Sequence, residues 1–208
     1  MNRFVAPLVV TAAVAALSAA PAPAQDAPKS IGLGASIPSD KVEMKSVDGK
    51  SLTIDSVKGT KGTLVIFTCN HCPYVKAWEK RITELGNAFT KQGMGVIAIN
   101  SNDPARSEED DFDGMVTRAK ELGLQFPYVV DEGSAVAKAF GASKTPEAFL
   151  FDARGKLVYH GTIDDNVKEA DKVEKRWLKD ALTAVAAGQT PAVQETKALG
   201  CGIKFKES

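Results

Sequence analysis

The sequence predicts an α/β protein built as one domain, and three observations carry that. Thr63 to Phe67 is a continuous β-branched and apolar run of the kind found in a central buried strand, and Met94 to Asn100 reads as the next strand. Between them, Val75, Trp78, Ile82, Leu85 and Phe89 recur at steps of three and four, while Lys76, Glu79, Lys80, Arg81 and Glu84 fill the other face. That is the pattern of a helix packed on a sheet. The chain has 208 residues, 44% of them hydrophobic, which is enough for one core and rarely for two.

Charge narrows the partners. With 26 basic and 26 acidic side chains the formal net charge is zero, and the pI is near 6.7. Nothing electrostatic therefore favours nucleic acid or anionic lipid, and proteins or small thiols are the expected partners.

In chain order, Asn2-Arg3 supplies a positive start, Val5 to Leu17 is apolar and Ala-rich, and Ala22-Pro23-Ala24 is a small-x-small cleavage site. Residues 1–24 thus read as a cleaved signal peptide that exports the chain to a bacterial periplasm, with the mature protein starting at Gln25. The apolar run is too short for a spanning helix, so no stable membrane insertion is expected. Residues 25–36 are polar and rich in Gly, Pro and Ala, and read as a flexible leader before a domain spanning 37–190. Val42 to Ile54 reads as a hairpin around Asp48-Gly49.

The strand from Thr63 delivers Cys69-Asn70-His71-Cys72-Pro73 to the start of the amphipathic helix. If that helix begins near Cys72, the two cysteines lie close enough to bridge. Cys69 sits where unpaired backbone N–H groups and the helix dipole favour a thiolate, so it is the expected nucleophile, with Cys72 as the resolving partner. His71, between them, is positioned to donate a hydrogen bond or a positive charge to Cys69. Pro73 suits the first helical turn. A zinc site would need a second pair of ligands, and the rest of the chain offers His160 and Cys201, so neither metal nor other cofactor is expected. Covalent haem would need His where Pro73 stands. A purely structural bridge closing so small a loop would stabilise weakly, which leaves redox chemistry.

Further along, Glu108, Glu109, Asp110, Asp111 and Asp113 lack calcium-loop spacing and read as the solvated start of a helix ending at Gly123. Phe126 to Asp131 reads as a strand, Ser134 to Phe140 as a short helix and Lys144-Thr145-Pro146 as a tight connection. Ala148 to Phe151 and Leu157 to His160 form a second hairpin. The last helix places Val173, Trp177, Leu178, Ala181, Leu182 and Val185 on one face, before Gly188 and Pro191. Residues 191–208 form a tail containing Cys201, whose alternatives are a free thiol, an intermolecular bridge, a third redox partner or a small buried hydrophobe.

The order strand, Cys-x-x-Cys helix, strand, helix, then Thr-Pro before a hairpin and a final helix resembles the thioredoxin fold from about Val42 to Gly188. The N-terminal hairpin, the segment Ser101 to Asp131 and the Phe126-Pro127-Tyr128 turn resemble its redoxin branch, which includes alkyl hydroperoxide reductase/thiol-specific antioxidant domains. The resemblance implies a central mixed sheet flanked by helices. It also implies a cis Pro146 facing the cysteines and a Thr145 backbone offered to a substrate peptide. The implied activity is thiol-disulfide oxidoreduction on protein or small-thiol substrates, served by a thiol redox partner and with the direction unread. Two further members of the fold supply alternatives. A thiol-dependent peroxidase would carry Pro-x-x-x-Thr-x-x-Cys, absent before both Cys69 and Cys72, and a copper-delivery module would use two cysteines with His160 as third ligand.

Overall fold

A computed structural model of the chain describes Met1 and residues 29–206. The expected signal segment after Met1 and residues 25–28 of the leader lie outside them. Chain order gives β1 (Met44–Ser46), β2 (Ser51–Leu52), β3 (Gly62–Thr68), α1 (Pro73–Thr90), β4 (Met94–Asn100), α2 (Phe112–Leu122) and β5 (Tyr128–Val130). Then follow α3 (Ala135–Phe140), β6 (Lys144–Thr145), β7 (Glu147–Asp152), β8 (Leu157–Gly161), α4 (Trp177–Ala186) and β9 (Cys201–Gly202).

Seven strands form one sheet in the order β2-β1-β5-β4-β3-β7-β8. The central strands β3, β4 and β5 are parallel, while β7 runs antiparallel to β3, β8 to β7 and β1 to β5. The sheet is therefore mixed, as the resemblance implied. The β1–β2 hairpin turns at Asp48-Gly49, with Gly49 at φ +86°, a left-handed backbone that favours glycine.

The continuous apolar run of β3 is explained by burial on both sides. Leu64 and Ile66 enter a layer with Trp78, Ile82 and Phe89 of α1, Met115 of α2 and Leu178, Leu182 and Val185 of α4. Val65 and Phe67 enter the opposite layer with Val136 and Phe140 of α3. Each such side chain contributes roughly 1.5–3 kcal/mol by leaving water. In the second layer Phe140 meets Phe67 and Phe149 edge-on, with ring centroids 5.2 Å away in each case. Trp78 is core as its spacing suggested, and its indole N–H also donates to Asp164 Oδ1 at 2.8 Å.

One segment differs from expectation. Residues 31–35, read as flexible, are docked. Ile31 N donates to Phe140 O at 3.0 Å, Gly34 N to Leu157 O at 2.8 Å, and Leu157 N to Ala35 O at 2.9 Å. Composition misled here because backbone groups, not side chains, find the open edge of β8. The tail follows: Thr196 N donates to His160 O at 3.0 Å, and β9 then pairs antiparallel with β6, Thr145 opposite Cys201.

Candidate functional site

Strand β3 ends at Thr68 and α1 begins at Pro73, so Cys69 to Cys72 form the turn between them. Cys72 is the residue before the first helical turn, with extended backbone, and Pro73 takes the first position as its missing N–H allows. The Thr145–Pro146 peptide bond is cis. Thr145 lies against both cysteines of the motif: Cys69 Sγ is 3.3 Å from Thr145 Oγ1, and Cys72 Sγ 3.2 Å from the Thr145 carbonyl oxygen. Both cysteines and Thr145 are buried.

The bridge is not the one the motif suggests. Cys72 is joined to Cys201, with Cα atoms 6.0 Å apart across a sequence separation of 129, and Cys69 is a free thiol. The register Thr145↔Cys201 explains this, since β9 lays Cys201 on the strand residue that Cys72 already touches. Cys201 is thus neither a free thiol nor bridged to another molecule, as its sequence alternatives had it, but bonded within the chain.

Cys69 also departs from the expected low-pKa thiolate. Backbone N–H groups of His71 and Cys72 and the Thr145 hydroxyl do favour the anion. Burial and the nearby Asp110 carboxylate outweigh them, and the thiol is pushed up to about 11.

Asp110 is the residue that sequence reasoning missed. Expected on a solvated helix start, it is fully buried at its side chain. Its Oδ1 accepts from Asn70 N at 2.6 Å, and its Oδ2 accepts from Asn102 Nδ2 at 2.7 Å and Ser107 Oγ at 2.8 Å. His71 Nδ1 is 2.5 Å from that same Oδ2, so His71 meets the thiol region through Asp110. The neighbouring Asp111 does what was expected of the cluster, capping α2 by accepting from Gly114 N at 2.7 Å. Asn70 completes the clamp, donating from Nδ2 to Glu109 O at 2.8 Å and accepting from the Tyr128 hydroxyl at 3.1 Å. Burial holds that phenol well above its usual range.

One ligand atom each from Cys69, His71 and Asp110 lie within 4.8 Å of one another, the one such trio among the described residues. His160, considered as a copper ligand, is engaged elsewhere. Its Nε2 is 2.7 Å from Glu147 Oε1, and its ring stacks on Phe149. Glu147, buried directly after Pro146, also accepts from Ser143 N and Lys144 N at 2.8 Å and so anchors the strand that carries Thr145.

Comparison with known proteins gives the setting. The model of the AhpC/TSA family matches residues 33–160. The thiol-disulfide oxidoreductase ResA of Halalkalibacterium halodurans is 27% identical over 115 residues, 55% of this chain and 61% of that protein. The chain thus matches only about three-fifths of that relative's length. The crystal structure of a hypothetical protein from Sinorhizobium meliloti superposes with a TM-score of 0.80 at 32% identity, covering 86% of this chain and 98% of that one. A thioredoxin-like protein solved in its oxidised form superposes with a TM-score of 0.59 at 22% identity, covering 74% and 97%. The fold is accordingly that of thioredoxin.

Proposed function

The chain belongs to the AhpC/TSA family, and from that premise and the surroundings of Cys69 we propose that it is an exported thiol-disulfide oxidoreductase working through Cys69 and Cys72. The observation that carries the reading is the contact of both motif sulfurs with Thr145, the residue before the cis proline. An extended substrate segment pairing with Thr145 would lay its own sulfur at the same place.

With the motif reduced, the Cys69 thiolate attacks one sulfur of a substrate disulfide and releases the other as a thiolate. Cys72 then attacks Cys69 Sγ, the substrate leaves with both sulfurs reduced, and Cys69–Cys72 holds the oxidised equivalent. A thiol partner restores the dithiol, and the reverse sequence oxidises a substrate. The amides of His71 and Cys72 stabilise the Cys69 anion, while Asp110 and its partner His71 set the charge beside it.

The test is entrapment in the exporting host. Cys72→Ser should stall as mixed disulfides through Cys69 with protein substrates, and adding Cys69→Ser should abolish them. Absence of trapped species, together with no insulin reduction by the reduced wild type, would sink the reading. Peroxide turnover should be slow, because neither Cys69 nor Cys72 is preceded by the Pro-x-x-x-Thr-x-x-Cys set that would polarise the O–O bond. Rapid turnover would instead favour a thiol peroxidase. Export to the periplasm should show as a mature chain starting at Gln25 by mass spectrometry.

A further inference from the structure

The tail strand lies where the preceding proposal puts a substrate. β9 pairs antiparallel with β6, setting Cys201 opposite Thr145 and Gly202 opposite Lys144, and Ile203 N continues the pairing to Ser143 O at 3.0 Å. Gly200 packs so tightly that a Cβ there would collide with the Thr145 carbonyl, so glycine is what lets the strand approach. Cys201 is bonded to Cys72, one of the two motif sulfurs against Thr145, while Cys69 waits as a thiol in the same cluster. A purely structural staple would have no need of the substrate slot or of a third, unbonded cysteine beside it.

We propose that residues 200–203 are an internal substrate strand and that Cys201 is a third exchange cysteine of the redox site. The Cys69 thiolate attacks Cys72 Sγ, the Cys69–Cys72 bond forms, the Cys72–Cys201 bond breaks, and Cys201 leaves as a thiolate. The proton lost by Cys69 goes to solvent and the departing Cys201 thiolate takes one up. No external oxidant or reductant enters, since one disulfide replaces another. The two bridged forms are therefore isomers. In one the tail covers Thr145, and in the other the strand is released and the Thr145 edge is free for an outside chain. The flanking attachments suit a strap that lifts. Lys204 N is held by Asn102 Oδ1 at 2.7 Å and its carbonyl by Asp103 N, whereas Leu199, just before the strand, is exposed.

The inference rests on the proposed redox role of Cys69 and Cys72, but its test needs no outside substrate. The full oxidised chain is incubated at a series of pH values, quenched in acid, alkylated and mapped by mass spectrometry. Both Cys72–Cys201 and Cys69–Cys72 bridges should be found. Their interconversion should speed up by about tenfold per pH unit through the neutral range, because the attacking thiol must ionise. Gly200→Val keeps all three cysteines yet obstructs the strand, and should shift the population several-fold toward Cys69–Cys72. A single bridge at every pH would overturn the exchange role of Cys201, and a ratio unmoved in Gly200→Val would overturn delivery by the strand. If no external partner is ever trapped but the isomers interconvert, it is the proposed external activity that fails.

Discussion

Replacing Asp110 by Asn should lower the pKa of Cys69. The structure places their ligand atoms within 4.8 Å of one another, with burial the larger cause and the carboxylate the second cause of a thiol pushed up to about 11. Two unit charges 4.8 Å apart repel by about 3.5 kcal/mol at an effective dielectric of about 20, which corresponds to roughly 2.5 pKa units for a bare carboxylate. Hydrogen bonds from Asn70, Asn102 and Ser107, with His71 alongside, draw part of that charge away, so a fall of about one unit is expected. Burial remains, and the thiol stays above its ordinary value. A drop of one unit raises the thiolate fraction near pH 8 about tenfold, and the weaker nucleophilicity of a less basic thiolate trims the gain in rate to about threefold. The assay is iodoacetamide alkylation of the oxidised chain against pH, read at the Cys69 peptide, with circular dichroism as the check on folding. A midpoint that stays at the wild-type value, or climbs, would refute the assignment of Asp110 as a source of the shift.

Three other outcomes follow from the same geometry. His71→Ala removes the ring beside Asp110 Oδ2, so the carboxylate acts on Cys69 unopposed and the alkylation midpoint should rise by about half a unit; a fall would show that His71 does not temper that charge. Because the Cys69 pKa is raised from 9.0 to about 11 on folding, the stability tied to its neutral form is fully present below pH 9 and is lost as pH rises toward 11. The slope is at most about 1.4 kcal/mol per pH unit, and urea titrations of Cys69→Ser should lack it; parallel pH profiles would contradict this. Phe149→Ala, at a fully buried ring packed on Phe67 and Phe140, should cost about 3–5 kcal/mol in the same titration, and a loss below 1 kcal/mol would mean the layer repacks freely.

What the sequence determined on its own was local. The run Thr63 to Phe67 had to be a strand covered on both faces, the spacing Val75, Trp78, Ile82 and Phe89 had to be one helix face, and Cys69 to Pro73 had to fall at the junction between them. Each of these is a matter of period or of turn chemistry, written within a few neighbouring residues. The tertiary structure alone decided the rest. Asp110 looks like any member of an acidic helix start, and it turns inward because the amide of Asn70, 40 positions away, arrives to bond it. His160 had no readable partner until the strand pairing of β7 with β8 set Glu147 beside it. Cys201 could be placed only once β9 had paired with β6, which sets it against Cys72, 129 residues away in sequence, and leaves Cys69 unbridged. Such contacts depend on which backbone edges and buried donors remain unsatisfied after the sheet has formed, and no periodicity in the sequence records that.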